Sequence, residues 1–190
     1  MMRILGVDPG SRKAGFGVID CSGNRMIHVA HGVLRLDVTR DIGARLRQLA
    51  EGIRDVVAEH KPQLAVLEEV FMSESARSAL LLGQARGAVL ATLGLSGLTT
   101  FGLSTTTVKL AITGSGRASK TQIGEMVRHV LKLEKKPAED AADALALAIC
   151  QGQRAFSQIS LETREPKRLS TAQKRQALAA LARSQGITLP

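Results

Sequence analysis

The sequence predicts an α/β fold in which helices flank a mixed sheet of five strands. Three short apolar runs open the chain, and two more, at residues 63–68 and 98–103, alternate with segments of helical periodicity. Only helix-like segments follow the fifth run, so the predicted order is βββαβαβ and then helices. A sheet built in this order is partly antiparallel and partly parallel, and helices must cover its apolar faces. The length of 190 residues suits one such domain with an appendage.

The first three strands are predicted to form an antiparallel meander. Residues 3–8 are a short apolar run that ends in an acid, and residues 14–20 are a second run that follows a turn. The residues at 22–24 (SGN) are typical of a hairpin turn, so the third strand follows over residues 25–37. Gly32 lies inside that strand and indicates a β-bulge.

A change to helical spacing marks the first helix, which the pattern predicts over residues 41–60. Pro62 cannot continue that helix. The fourth strand, residues 63–68, again ends in an acid, and a second helix follows at about residues 74–94. The apolar residues of the first helix recur every three or four positions: Ile42, Leu46, Leu49, Ile53 and Val57.

Capping and turn signals place the later helices. Residues 104–113 follow the fifth strand as a short helix, and Ser119 and Gln122 form an S-x-x-Q capping box that begins the next one. Pro137 opens the last core helix, which we predict over residues 138–152.

The C-terminal tail is predicted to be distinct from the folded domain. We place the domain over residues 1–153 and a basic tail, flexible or partly helical, over residues 154–190. Residues 155–190 hold six Lys or Arg and two Asp or Glu. A second capping box predicts a helix over residues 171–185, which would form alone or on a partner.

The charge balance points to a polyanionic partner. The chain carries 26 Lys and Arg against 17 Asp and Glu, a formal net charge of +9. Such a surplus favours nucleic acid, and the alternative is a basic but merely solvated surface. Because Trp and Tyr are absent and Phe occurs only four times, a broad base-stacking platform is excluded. Nucleic acid would be bound mainly by its backbone and shape.

The sequence predicts a cytoplasmic protein that does not enter a membrane. No apolar run reaches the roughly 18 residues that span a bilayer, and no signal segment opens the chain. The two cysteines, Cys21 and Cys150, are too few for a disulfide framework.

Four acids are candidates for a catalytic site. Asp8 and Glu68 end two apolar strands. If those strands are parallel neighbours, both carboxylates emerge at one sheet edge, where the sites of open α/β sheets collect. Asp140 and Asp143 are three residues apart near the start of a helix and share one of its faces. The alternatives are an ordinary helix-start acid for Asp140 and a turn former for Asp8.

Converging carboxylates require a cation, because like charges at short range raise one another's pKa. Mg²⁺ is a hard cation that takes oxygen ligands. Two such ions about 4 Å apart can clamp the attacking and leaving oxygens of a phosphodiester displacement. The four acids therefore indicate metal-dependent phosphodiester hydrolysis.

Five segments, in the same order and spacing, resemble the RuvC family of crossover-junction endodeoxyribonucleases: ILGVDPGSRKAGFGVID, LEEVFM, ALLLGQARG, TGSGRASKTQ and AEDAADALALAI. The resemblance covers the chain from about residue 3 to residue 153. It implies an RNase H-like fold, a homodimer, and Mg²⁺-dependent resolution of four-way (Holliday) junctions in recombination and repair. It also implies paired, symmetric nicks that leave 5′-phosphate and 3′-hydroxyl ends.

The resemblance also assigns roles to individual residues and partners. The active-site lysines of the family fall on Lys109 and Lys120, and the aromatic residue implicated in contacting unstacked junction bases falls on Phe71. A junction-binding and branch-migration motor complex of the RuvA and RuvB type is the implied partner. Two Mg²⁺ ions, for which Mn²⁺ would substitute, are implied at the family's four metal-binding carboxylates: Asp8, Glu68, Asp140 and Asp143.

Basic residues near these positions are candidate DNA contacts. Lys120 begins a capped helix behind the loop GSGR, whose free N–H groups suit a phosphate. Arg12, Lys13 and Arg117 flank the same edge and are candidates for holding adjacent phosphates. The alternatives are a solvated surface position for Lys120 and a core position for Phe71.

Two features leave alternatives open. Glu69 adds a spare carboxylate beside Glu68; neighbouring strand residues face opposite ways, and the resemblance favours Glu68 as the ligand.

Small residues recur every four positions in the second helix, which favours either close packing of a second copy or packing on the chain's own sheet. These residues are Ala79, Gly83, Gly87 and Ala91.

Rival functions differ in what they require. An actin-like ATPase or sugar kinase also runs its first strand into D-x-G, but it needs a second large lobe for which this chain is too short. A non-catalytic junction-binding protein has no need of four converging acids. A related RNase H-like nuclease that acts on other branched DNA is the alternative that the residues leave open.

Overall fold

The computed structural model describes residues 1–69 and 75–162, with side chains up to residue 155. Within these residues, five strands form one mixed sheet: β1 (Met2–Asp8), β2 (Lys13–Ser22), β3 (Arg25–Arg35), β4 (Leu64–Glu68) and β5 (Thr99–Leu103). Their spatial order is β3-β2-β1-β4-β5. The α/β fold predicted from the order of apolar runs is confirmed.

Helices fill the rest of the described chain: α1 (Ile42–His60), α2 (Ala76–Leu95), α3 (Thr105–Thr113), α4 (Lys120–Val130) and α5 (Glu139–Glu162). Side chains cap the first four, since each cap oxygen accepts a bond from a backbone N–H of the first turn. The capping box of Ser119 and Gln122 is present with both of its bonds. The cap residues are Asp41, Ser75, Ser104 and Ser119.

The strand register brings the ends of β1 and β4 together. These two strands are parallel neighbours, and Val7 lies opposite Leu67. The next residues along each strand are Asp8 and Glu68, so both acids leave the sheet at the same edge, as predicted. β2 and β3 pair antiparallel on the other side of β1, and β5 pairs parallel with β4.

The predicted bulge at Gly32 is wrong. Pairing between β2 and β3 shifts instead between Val18 and Ile19, which lie opposite Ala30 and His28. Gly32 stays in register opposite Phe16, where a Cβ would lie 2.6 Å from the Phe16 ring. The glycine therefore makes room for a cross-strand aromatic side chain and leaves the strand unbroken.

Helices cover both faces of the sheet. On one face Val66 and its neighbours pack with α3, α4 and α5, and on the other Leu67 packs with α1 and α2. Because side chains alternate along β4, the residue after Leu67 returns to the α5 face. Glu68 is that residue, so the sheet itself directs it toward the first turn of α5.

The last helix is longer than predicted. It continues past residue 152 to Glu162, because residues 153–162 contain no Gly or Pro to stop it. Gly152 lies within the helix, and a Cβ there would lie 2.6 Å from Cys21 Sγ, so the glycine permits a close approach of α5 to β2. Residues 1–156 form one compact unit. The helix predicted over residues 171–185 lies outside the described residues.

The small residues of α2 do not pack on the chain's own sheet, so that alternative is wrong. Ala85, Val89 and Leu93 face the sheet and are fully buried. Gly83 and Gly87 are exposed, and a Cβ added to either would meet nothing within 4 Å. The opposite face of α2 is thus open among the residues that the structure describes.

On length and composition alone, α2 also passes for a membrane span, contrary to the sequence prediction. Its mean hydropathy is 1.3, and 17% of the apolar window is buried in the described structure. Core helices of non-membrane proteins meet the same two criteria, so length and hydropathy alone do not assign α2 to a membrane.

Candidate active site

A cleft of about 200 Å³ opens at the edge where β1 and β4 end. Val108, Ile123 and Leu147 form its apolar wall. The polar lining combines carboxylates with cationic and hydroxyl groups: Asp8, Glu68, Asp143, Lys109, Lys120 and Thr105. Five of the six residues that we predicted to be catalytic therefore share one cleft.

Close packing of α5 on the sheet places the last two acids. A Cβ at Gly15 would lie 1.9 Å from the carbonyl oxygen of Asp140, and a Cβ at Gly6 would lie 1.9 Å from that of Ala144. The helix backbone therefore rests directly on β1 and β2, which is possible only because the contact residues lack side chains. Its first two turns, with Asp140 and Asp143, overhang the end of β1.

The carboxylates are close enough to disturb one another's ionisation. Burial raises the pKa of Asp8 to about 7, together with the charges of Glu68, Asp143 and Asp140. Burial is also the largest cause of the raised pKa of Asp143. Such a cluster stores repulsion that a bound cation would relieve.

Lysines neutralise two of the carboxylates. Lys13 Nζ lies 2.6 Å from Asp140 Oδ2, although we predicted Lys13 as a phosphate contact. Lys120 Nζ lies 2.5 Å from Glu139 Oε1 and 3.6 Å from Asp143 Oδ2. The hydrogen bond to Glu139 is the main cause of the raised pKa of Lys120.

With these partners in place, the described residues contain no group of three His, Cys, Asp or Glu side chains arranged as a preformed metal site. The donor set nevertheless fits a hard divalent cation, because it consists of carboxylate oxygens that already repel one another. Asp143 already lines the cleft, whereas Asp140 is held by Lys13.

Two residues contact the predicted site residues without having been predicted themselves. Thr105 donates a short hydrogen bond from Oγ1 to Glu68 Oε1, and Glu139 is the nearest partner of Lys120. Thr105 had a detectable signal, because it follows the end of β5, a parallel neighbour of β4. Glu139 had none, since acids in a first helical turn are common.

The structure separates Glu68 from Glu69. Glu68 lines the cleft. Glu69 turns away toward β5, where its Oε1 lies 2.6 Å from the position that a Cβ of Gly102 would take. Its backbone N–H donates to the Leu103 carbonyl at 2.8 Å. The expected opposite orientation of the two acids is confirmed.

The remaining predicted contacts lie around the cleft or outside the described residues. Arg12 lies in the loop between β1 and β2, and its carbonyl accepts a bond from Leu36 N at 3.0 Å. Arg117 is exposed just before the cap of α4. Phe71 falls in residues 70–74, which the structure does not describe.

Comparison with known proteins identifies the family. The family model for crossover junction endodeoxyribonuclease RuvC matches residues 4–151. RuvC of Burkholderia cenocepacia strain HI2424 is 48% identical over 149 residues, which are 78% of this chain and 82% of that protein. RuvC of Halorhodospira halophila is 44% identical over 168 residues, which are 88% of this chain and 100% of that protein.

Solved structures agree with this assignment. T. thermophilus RuvC in complex with a Holliday junction substrate matches with a TM-score of 0.78 at 27% identity, covering 83% of this chain and 97% of that one. The yeast mitochondrial Holliday junction resolvase Ydc2 shares the fold, with a TM-score of 0.60 at 15% identity. The family model, the extended identity to bacterial relatives and the five-stranded sheet therefore agree that this chain belongs to the RuvC family of crossover junction endodeoxyribonucleases.

Proposed function

We propose that this chain resolves four-way DNA junctions by two-metal hydrolysis of phosphodiester bonds, with Mg²⁺ held by four carboxylates: Asp8, Glu68, Asp140 and Asp143. The observation that carries this proposal is geometric: Asp8, Glu68 and Asp143 line one cleft at a single sheet edge, and Asp140 lies on the same helix as Asp143. The products would carry 5′-phosphate and 3′-hydroxyl ends. The partner and location are proposed from the family: a motor complex of the RuvA and RuvB type, in the bacterial cytoplasm.

The test compares an immobile four-way junction with a flap of the same arm sequences, both in Mg²⁺. We expect paired, symmetric nicks on the junction and much slower cleavage of the flap. Equal cleavage of the two substrates would favour a nuclease for branched DNA in general. Binding to the junction without cleavage, in Mg²⁺ or Mn²⁺, would favour a non-catalytic junction-binding protein.

The protein's own groups hold the reacting strand and its charge. Bound divalent ions would supply charge stabilisation for the attacking and leaving oxygens. Lys109 and Lys120 line the cleft and would hold the phosphate whose charge grows during the reaction. Arg12 and Arg117 would bind neighbouring phosphates, and Phe71 would meet an unstacked base.

Lys120 is expected to affect the rate of cleavage more than the affinity for junction DNA. We expect Lys120→Ala to lower the cleavage rate by about 10²-fold or more, as for other lost electrostatic donors, while junction affinity falls only a few-fold. Single-turnover cleavage and gel-shift titration measure the two effects. Lys135→Ala, which removes one exposed charge elsewhere, is the control. Equal losses in rate and affinity would make Lys120 a general DNA contact.

We propose that the open face of α2 forms a homodimer. Leu80, near the N-terminal end of this face, is 63% exposed. Gly83 and Gly87 follow it on the same face and have no side chains. A second copy related by a two-fold axis would cover this apolar surface and match the two-fold symmetry of the junction. The close approach that small residues permit would bring the two helix backbones into contact.

A further inference from the structure

Glu68 has more side-chain conformational freedom than the other three carboxylates of the site. An Asp side chain has two torsions, whereas Glu has three, so ordering a Glu side chain costs more rotamer entropy. Asp8, Asp140 and Asp143 are also held by short tethers to β1 and α5. Glu68 is therefore the member of the set that most needs an external constraint.

The backbone of Glu68 is fixed from two sides. Arg86 Nε, on α2, donates to the Glu68 carbonyl at 3.0 Å. The next residue, Glu69, donates its N–H to Leu103 on β5 at 2.8 Å. These bonds anchor the end of β4, but neither of them reaches the Glu68 carboxylate.

One side chain restrains that carboxylate. Thr105 Oγ1 donates to Glu68 Oε1, and no other described side chain has a hydrogen bond or ion pair with it. Thr105 is itself well placed, because it begins α3 directly after the cap Ser104, whose Oγ accepts from Thr107 N at 3.2 Å. A fixed helix start thus presents a hydroxyl to the longest acid of the site.

We infer that Thr105 is a positioning residue that holds the Glu68 carboxylate in its metal-binding orientation. This inference rests on the metal site proposed above. A hydrogen bond to a ligating carboxylate orients it and typically changes metal affinity by about 10–100-fold when it is lost. Thr105 acts through Glu68 and makes no contact with DNA in this proposal.

The test uses a pair of variants that separate hydroxyl from shape. Thr105→Val keeps the branched side chain and removes the donor, whereas Thr105→Ser keeps the donor. Thr106→Val makes the same change on the next residue, which is exposed and bonds to no site carboxylate. Thermal unfolding in chelator shows whether each protein folds normally, and calorimetric titration with Mg²⁺ alone, without DNA, gives the midpoint of Mg²⁺ binding.

We expect Thr105→Val to raise the Mg²⁺ midpoint at least about tenfold, and Thr105→Ser and Thr106→Val to keep the wild-type midpoint. Cleavage by Thr105→Val should recover at high Mg²⁺, with an unchanged KM for junction DNA. A wild-type midpoint in Thr105→Val would overturn the role of Thr105 alone. A wild-type protein that does not bind Mg²⁺ would overturn this inference together with the proposed metal site.

Discussion

Asp8→Asn is expected to abolish junction cleavage while leaving junction binding within a few-fold of wild type. The substitution removes one anionic ligand from the centre of the proposed site but keeps the shape of the side chain and the basic surface around it. Single-turnover cleavage in Mg²⁺ and gel-shift titration in chelator measure the two properties separately. Cleavage at a near wild-type rate would mean that the metal site is wrongly assigned.

The same substitution is expected to stabilise the metal-free protein at neutral and higher pH. The pKa of Asp8 is about 7 in the folded protein against an ordinary value of 3.8, so ionising this group opposes folding. The penalty begins above pH 4, grows until the pH passes the folded pKa, and is absent below both values. Asp8→Asn removes it, so Tm should rise at pH 8 and not at pH 4.

The size of this effect is measurable. A gain of even 1 kcal/mol moves Tm by about 2–4 °C for a chain of this length. Mg²⁺ should raise the Tm of the wild type and leave that of Asp8→Asn unchanged. A fall in Tm at pH 8 would show that Asp8 stabilises the fold, and would contradict the repulsion inferred for the site.

Asp20 provides a control of opposite sign. It is a buried acid on the far end of β2, and its hydrogen bonds from Arg3 at 2.8 Å lower its pKa. Its ionised form therefore stabilises the fold above the unfolded pKa, and that contribution is lost as the pH falls. Asp20→Asn should lower Tm at pH 8, with the Mg²⁺ response unchanged.

The features that the sequence could predict are set by residues that lie close together in the chain. Asp8 and Glu68 each end an apolar run, and Ser119 and Gln122 are spaced for a capping box, so the site edge and the start of α4 followed from neighbouring residues. Alternation along the strand also predicted that Glu68 and Glu69 face opposite ways, although only the family resemblance selected Glu68 as the ligand. Such patterns need no knowledge of distant parts of the chain.

What could not be predicted depends on contacts between distant segments. The register shift between Val18 and Ile19 arises in the pairing of β2 with β3 and has no mark in either strand alone. Whether Lys120 pairs with Glu139 or with Asp143 depends on side-chain geometry at the start of α5. The pairing of Lys13 with Asp140 joins residues 127 positions apart, beyond the reach of any local pattern.

A substitution on the open face of α2 is expected to have a second large effect, which is to weaken the proposed homodimer. Gly87→Leu is expected to weaken the proposed dimer at least about tenfold and to give monomers at micromolar concentration. An added side chain at a close crossing costs about 1–3 kcal/mol, and a two-fold interface contains each residue twice. Within one chain a Cβ added at Gly87 meets nothing within 4 Å, so the monomer should fold. Light scattering measures the change in mass.

Loss of the dimer should separate paired cutting from single cutting. The bond from Arg86 to the Glu68 carbonyl lies within one chain, so a monomer keeps its own site. It cannot, however, place a second site on the opposed strand of the same junction. On a cruciform plasmid, linear product should therefore decline more than nicked circle.

A leucine on another exposed helix face is the control for non-specific association caused by an added apolar side chain. Glu51 is half-exposed on α1 and only loosely paired with Arg47 at 3.9 Å, so Glu51→Leu adds a similar apolar group away from the face of α2. It should leave both mass and paired cutting unchanged. If Gly87→Leu behaves like Glu51→Leu and remains a tight dimer with normal paired cutting, the two copies meet elsewhere. The exposed glycines of α2 would then serve no assembly, and the two cuts would be coordinated through a different surface.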